Sequence, residues 1–126
     1  LEAPSDLNLK YAYILRAADA VGAVLPLEAE GRKTLELCLD EALANAMVWG
    51  NLGDPGKKVR VCVWEEQGRW GFTVSDEGKG FKPSALPDYE SEDFPWRERG
   101  RGIFVLLNHL SEVSFHDGGR TIVAKS

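Results

Sequence analysis

The feature that most limits what this chain can fold into is a change of hydrophobic period near its middle. Tyr11, Ile14, Leu15, Ala18, Val21 and Leu25 follow the 3.6-residue spacing of an amphipathic helix over 11–24, and Pro26 ends it. A longer helix is predicted over 28–48, with Leu35, Leu39, Ala42 and Ala46 on one face, stopped by Gly50, Gly53 and Pro55-Gly56. From there the period falls to two. Residues 59–64 and 70–76 alternate apolar and polar, and Glu-Glu-Gln-Gly-Arg between them reads as a hairpin connection. A third helix over 102–110 precedes two last strands, 112–116 and 120–125, joined by Asp117-Gly118-Gly119. A short strand is also expected at 7–9. Helices first and strands clustered later predict an α+β fold, a two-layer sandwich with helices on one face of a mixed, mostly antiparallel sheet.

Composition narrows the function classes. At 126 residues the chain is one domain, expected over 7–126, with the polar residues 1–6 read as a linker or an appended remnant. Fifteen basic residues against twenty acidic ones give a net charge of -5 without any basic tract, which argues against gripping nucleic acid or an anionic membrane. No apolar run approaches eighteen residues and no basic-then-apolar leader opens the chain, so a cytoplasmic protein is expected. Cys38 and Cys62 read as buried small hydrophobes rather than a disulfide or metal framework, and core positions suit His109 and His116. Residues 82–99 lose all periodicity and hold Pro83, Pro87, Pro95 and five acidic residues, the pattern of a functional loop and a lid candidate.

Three constellations can carry chemistry. Glu41 and Asn45 are four residues apart on the long helix, so they project from one face amid small and apolar neighbours. Such a pair is either a solvated helix edge or a partnered polar site, since burying it unpaired costs several kcal/mol. An Asn carbonyl is a hard donor suited to Mg²⁺ beside phosphate oxygens, and a Glu can accept a hydroxyl proton. Asp76-Glu77-Gly78-Lys79-Gly80-Phe81 ends a strand: the Asp offers a fixed acceptor for an exocyclic amine, and the glycines permit positive φ and close approach. Read blandly, it is only a turn. Gly100-Arg101-Gly102 opens an apolar helix, whose N-terminus is an anion site to which Arg97, Arg99 and Arg101 add charge, unless they pair with Glu92, Asp93 and Glu98. No Gly-Lys-Ser/Thr occurs, which removes a P-loop reading.

Taken in order, the three motifs make the chain resemble the GHKL ATPases and kinases over roughly residues 7–126, most closely the anti-sigma-factor serine/threonine kinases of bacterial partner switching. The resemblance implies the Bergerat sandwich, ATP and Mg²⁺ as cofactors, Asn45 as the Mg²⁺-binding Asn and Glu41 as the general base. It further implies Asp76 as the adenine-reading Asp, Gly78 and Gly80 beside the base, and Gly100, Arg101 and Gly102 at the phosphates. Thr121 is similar to a Thr near the adenine. Trp49-Gly50 stands where many members carry His-Gly, which removes a polar contact near the phosphates. A phosphoacceptor His on an upstream helix is missing, as expected of the serine-kinase branch rather than a sensor histidine kinase.

The expected function is therefore phosphorylation of an anti-anti-sigma (STAS-type) protein, together with sequestration of a sigma factor, with a homodimer implied by the family. Two alternatives stand beside it: an interaction module without catalysis, and an ATPase output domain of a larger signalling protein.

Overall fold

The computed structural model describes residues 1–79 and 96–126. Among these, three α-helices cover one face of a five-stranded sheet: α1 (Lys10–Val24), α2 (Ala29–Ala44) and α3 (Trp96–His109). The strands are β1 (Glu2–Pro4), β2 (Lys58–Glu66), β3 (Arg69–Ser75), β4 (Glu112–His116) and β5 (Thr121–Lys125). Their order is β1-β2-β3-β5-β4, and every neighbouring pair is antiparallel. The expected α+β sandwich forms, with an antiparallel rather than a mixed sheet. No helix among the described residues is long and apolar enough to cross a membrane.

The core lies between the layers. Val59, Val61, Phe72, Val74, Ile122 and Ala124 point from the sheet to Leu35, Leu39, Leu43, Met47 and Leu106 of the helical layer. Each fully buried aliphatic side chain contributes about 2 kcal/mol. The alternation in β2 that buries Val59 and Val61 turns Cys62 outward, so Cys62 is exposed and only Cys38 is buried. Both histidines are also exposed rather than in the core: His109 bonds the Val105 carbonyl one turn back, and His116 meets Ser114 on its own strand.

Several boundaries differ from the periodicity for identifiable reasons. Residues 1–6 are not a linker: Ala3 pairs with Val59 as the middle of β1, and Tyr13 of α1 donates its hydroxyl to Pro4 O at 2.9 Å. That bond explains why α1 turns Tyr13 inward and leaves Tyr11 exposed. The expected strand at 7–9 is a single 3₁₀ turn, capped by the Asp6 carboxylate accepting from Asn8 N–H. The β2–β3 connection is a two-residue turn, Gln67-Gly68, both at positive φ, which suits the twist of a tight hairpin and extends both strands beyond their expected ends. Directly opposite in register, the Trp64 ring lies over Gly71 on the face away from the described helices, where no Cβ fits. The lid expected over 82–99 falls outside the described residues as far as 95. Residues 96–99 already belong to α3, because Trp-Arg-Glu-Arg supplies helix formers ahead of the glycines.

Candidate functional site

Past Ala44 the long helix does not stop but widens, as Asn45–Gly50 form π-helical turns. Such turns are rare in proteins and frequent at functional sites. They begin at Asn45, a polar side chain only 5% exposed, one turn after the half-buried Glu41. They end at Gly50, whose position against the Asp76 carboxylate leaves no room for a side chain. The widened segment thus ties the Glu41–Asn45 face to the turn after β3.

That turn is held on every side. Asp76 N–H donates to Arg120 O at 2.9 Å, continuing the β3–β5 ladder by one step. The Asp76 carboxylate accepts from Gly78 N–H at 2.8 Å, an Asx turn that fixes its orientation. Gly78 is required because a Cβ there would overlap the Gly50 carbonyl; its backbone does not need positive φ, contrary to the expectation from sequence. Glu77 N–H donates to the Asn51 side-chain oxygen at 2.8 Å, and the Asn51 amide donates to Lys58 O at 3.0 Å. Asn51 is fully buried, and Lys58 N–H closes the circuit on the Glu77 carboxylate.

From the other side α3 approaches α2 at Gly102. A Cβ on Gly102 would stand 2.9 Å from Glu41 Oε2, so the glycine lets the second helix close onto the carboxylate. Gly102 is a buried residue inside α3, not the opening of a helix, and Gly100 and Arg101 share that helix. The Gly-x-Gly segment is therefore not the helix N-terminus that the sequence implied. Gly80 lies outside the described residues.

Thr121 lies beside Asp76 but does not turn its side chain to the helical layer. Ile122 and Ala124 point into the core, so Thr121 faces the side of the sheet away from the described helices, where its hydroxyl meets that of Ser75 at 2.9 Å. There both residues line a cavity of about 250 Å³ together with Asp76, Glu77, Lys58 and Arg60, so Thr121 shares a cavity with Asp76. Its neighbour Arg120 reaches the same turn by another route, its Nε donating to Gly78 O at 2.8 Å. Sequence reasoning missed Arg120 and Asn51. The signal for Arg120 was its place directly after Gly118-Gly119; Asn51, just past Gly50, carried none that separates it from a loop residue.

One titration is perturbed close by. Burial, with the Glu41 carboxylate one turn away as a lesser cause, pushes the Cys38 thiol from 9.0 up to about 12, so it is no nucleophile at neutral pH.

A comparison with protein families decides what this arrangement belongs to: residues 3–125 match the model of the histidine kinase-like ATPase domain. The chain belongs to that family. No curated protein matches it. Histidine kinase-like ATPase domains bind ATP, usually with Mg²⁺, and the donors present here fit that pair. Asn45 supplies a nearly buried amide oxygen, and Asp76 a carboxylate in a fixed orientation. Among the described residues no group of three or more His, Cys, Asp or Glu gathers to hold a metal. A cation joining Asn45 would then take its remaining oxygens from phosphates and water, the usual habit of Mg²⁺.

Proposed function

We propose that this domain binds Mg-ATP and phosphorylates a serine or threonine of a partner protein. The observation that carries this reading is the placement of Glu41 one turn before the nearly buried Asn45, with α3 packed onto the Glu41 carboxylate through Gly102. In this reading Asp76 accepts from the exocyclic amine of adenine, with Gly78 and Gly80 beside the base, and Asn45 holds Mg²⁺. Glu41 accepts the proton of the partner's hydroxyl, at a position within reach of both helices. Bound Mg-ATP supplies the transferable phosphoryl group and the metal that neutralises its charge. Gly100 and Arg101 complete the phosphate side. The partner is an anti-anti-sigma (STAS-type) protein, and the same domain sequesters a sigma factor, as a homodimer.

Calorimetric titration with ATP, with and without Mg²⁺, tests the site, and label transfer from ATP to the partner tests the reaction. Asn45→Ala is expected to weaken Mg-dependent binding. Glu41→Gln is expected to keep ATP affinity within about twofold while transfer falls about 10²–10⁴-fold, the usual worth of a general base. ATP binding by wild type with no Glu41-dependent transfer would leave a nucleotide-binding interaction module instead.

A further inference from the structure

We propose that Arg120 is a positioning residue for base recognition, which selects an exocyclic amine by locking the orientation of the Asp76 carboxylate. The inference rests on the reading of Asp76 as the group that meets the base. Three hydrogen bonds close a ring: Arg120 Nε donates to Gly78 O at 2.8 Å, Gly78 N–H donates to Asp76 Oδ1 at 2.8 Å, and Asp76 N–H donates to Arg120 O at 2.9 Å. One residue therefore grips both ends of the Asp76-Glu77-Gly78 turn, its main chain at the start and its side chain at the end.

The guanidinium is itself anchored. Nη1 donates to Asp117 O at 2.9 Å and lies 3.5 Å from the Asp117 carboxylate. Asp117, Gly118 and Gly119 all have positive φ, and this left-handed turn brings the arginine's side chain back over the sheet end. Because the guanidinium is planar and always charged, it holds the Gly78 and Asp117 carbonyls together at any physiological pH. On the opposite side Asn51 fixes Glu77 N–H, so the turn between the two clamps has little freedom. A carboxylate so held only accepts; it rewards an amine and repels a carbonyl at the same place on the ring.

The test is calorimetric titration of ATP and of inosine triphosphate, in which a carbonyl replaces the amine, into wild type, Arg120→Ala and Arg120→Lys, with the Tm of each. Wild type is expected to prefer ATP. Arg120→Ala is expected to weaken ATP binding about tenfold, the scale of one charge-assisted bond, while inosine triphosphate binding moves less than about twofold. Arg120→Lys, which keeps the charge but not the planar fork that spans the Gly78 and Asp117 carbonyls, is expected to recover part of the preference without matching wild type. Equal weakening of both nucleotides alongside a lowered Tm would make Arg120 merely structural and overturn the proposal. An unchanged ratio in Arg120→Ala would overturn it as well. Wild type that binds ATP with no preference over inosine triphosphate would remove Asp76 as the reader of the base, and wild type that binds neither would remove the functional reading itself.

Discussion

Gly50 shows how much of the site depends on an atom that is absent. Its Cα lies against the Asp76 carboxylate and its carbonyl against Gly78, so the helix end and the turn touch through two glycines. Gly50→Ala must push that carboxylate away or unwind the last helical turn. It is expected to cost about 1–3 kcal/mol of stability, as overpacking does, and to lower ATP affinity more than Trp49→Ala at the neighbouring position. Urea titration and calorimetry on the two variants check it; a fully stable Gly50→Ala with normal affinity would contradict this account of the contact. At this scale the sequence was legible where chemistry is tied to local spacing. Glu41 and Asn45 share a face because helices repeat every 3.6 residues, and Asp76 follows a strand because its predecessors alternate. The side on which Thr121 stands was not legible, for the same kind of reason in reverse. Its face is set by which β5 residues enter the core, and one position earlier Arg120 holds the same turn from Gly78 O.

Among the elements, the junction of α2 with the β2–β3 hairpin matters most, and Asn51 makes it. Its two side-chain bonds, to Glu77 N–H and Lys58 O, replace a direct backbone contact between the helix end and the sheet. Asn51→Ala removes a fully buried side chain and leaves two part-buried backbone groups without that partner, so about 1–3 kcal/mol of stability is expected to be lost, with the β3 turn loosened first. Amide exchange at Glu77 is the direct measure: protection there should fall more than at Phe72 in the middle of β3. The elements themselves were readable wherever an apolar period ran uninterrupted, as in α1, α2 and the hairpin. Their ends were not. The π-helical widening at Asn45–Gly50 leaves no mark in residue type, and β1 is three residues whose only apolar inward side chain is Ala3. A strand that short is defined by its partner, not by its own pattern.

For the whole molecule, stability depends on how its core thiol and its edge strand are kept. Cys38 ionises near 9.0 when unfolded and at about 12 when folded. Below pH 9 both states hold the proton and the contribution is complete; between pH 9 and 12 only the unfolded chain releases it, so stability falls as pH rises. Cys38→Ala is expected to flatten that alkaline slope in urea titrations at pH 8 and 10. Native thiol titration at neutral pH is expected to label Cys62 alone, since it is the exposed cysteine. The edge strand makes the wider prediction. β1 covers only the first part of the nine-residue β2, joining at Glu2–Arg60, Ala3–Val59 and Pro4–Lys58. Ser5 N–H adds a bond to Lys57 O at 2.9 Å, whereas the exposed Glu2 pairs with Arg60 and Lys58 contribute little. Deleting residues 1–6 would expose the backbone of β2 along its whole length and uncover Tyr13, Val59 and Val61. A long bare edge with valines beneath it is a template for pairing with another chain. The deletion is therefore expected to lower stability by about 2–4 kcal/mol and to make the domain self-associate as its concentration rises. Thermal melts paired with sedimentation over a hundredfold concentration range would show both effects. A truncated domain with unchanged Tm and unchanged mass would mean that β1 only rests on the sheet and does not guard its edge.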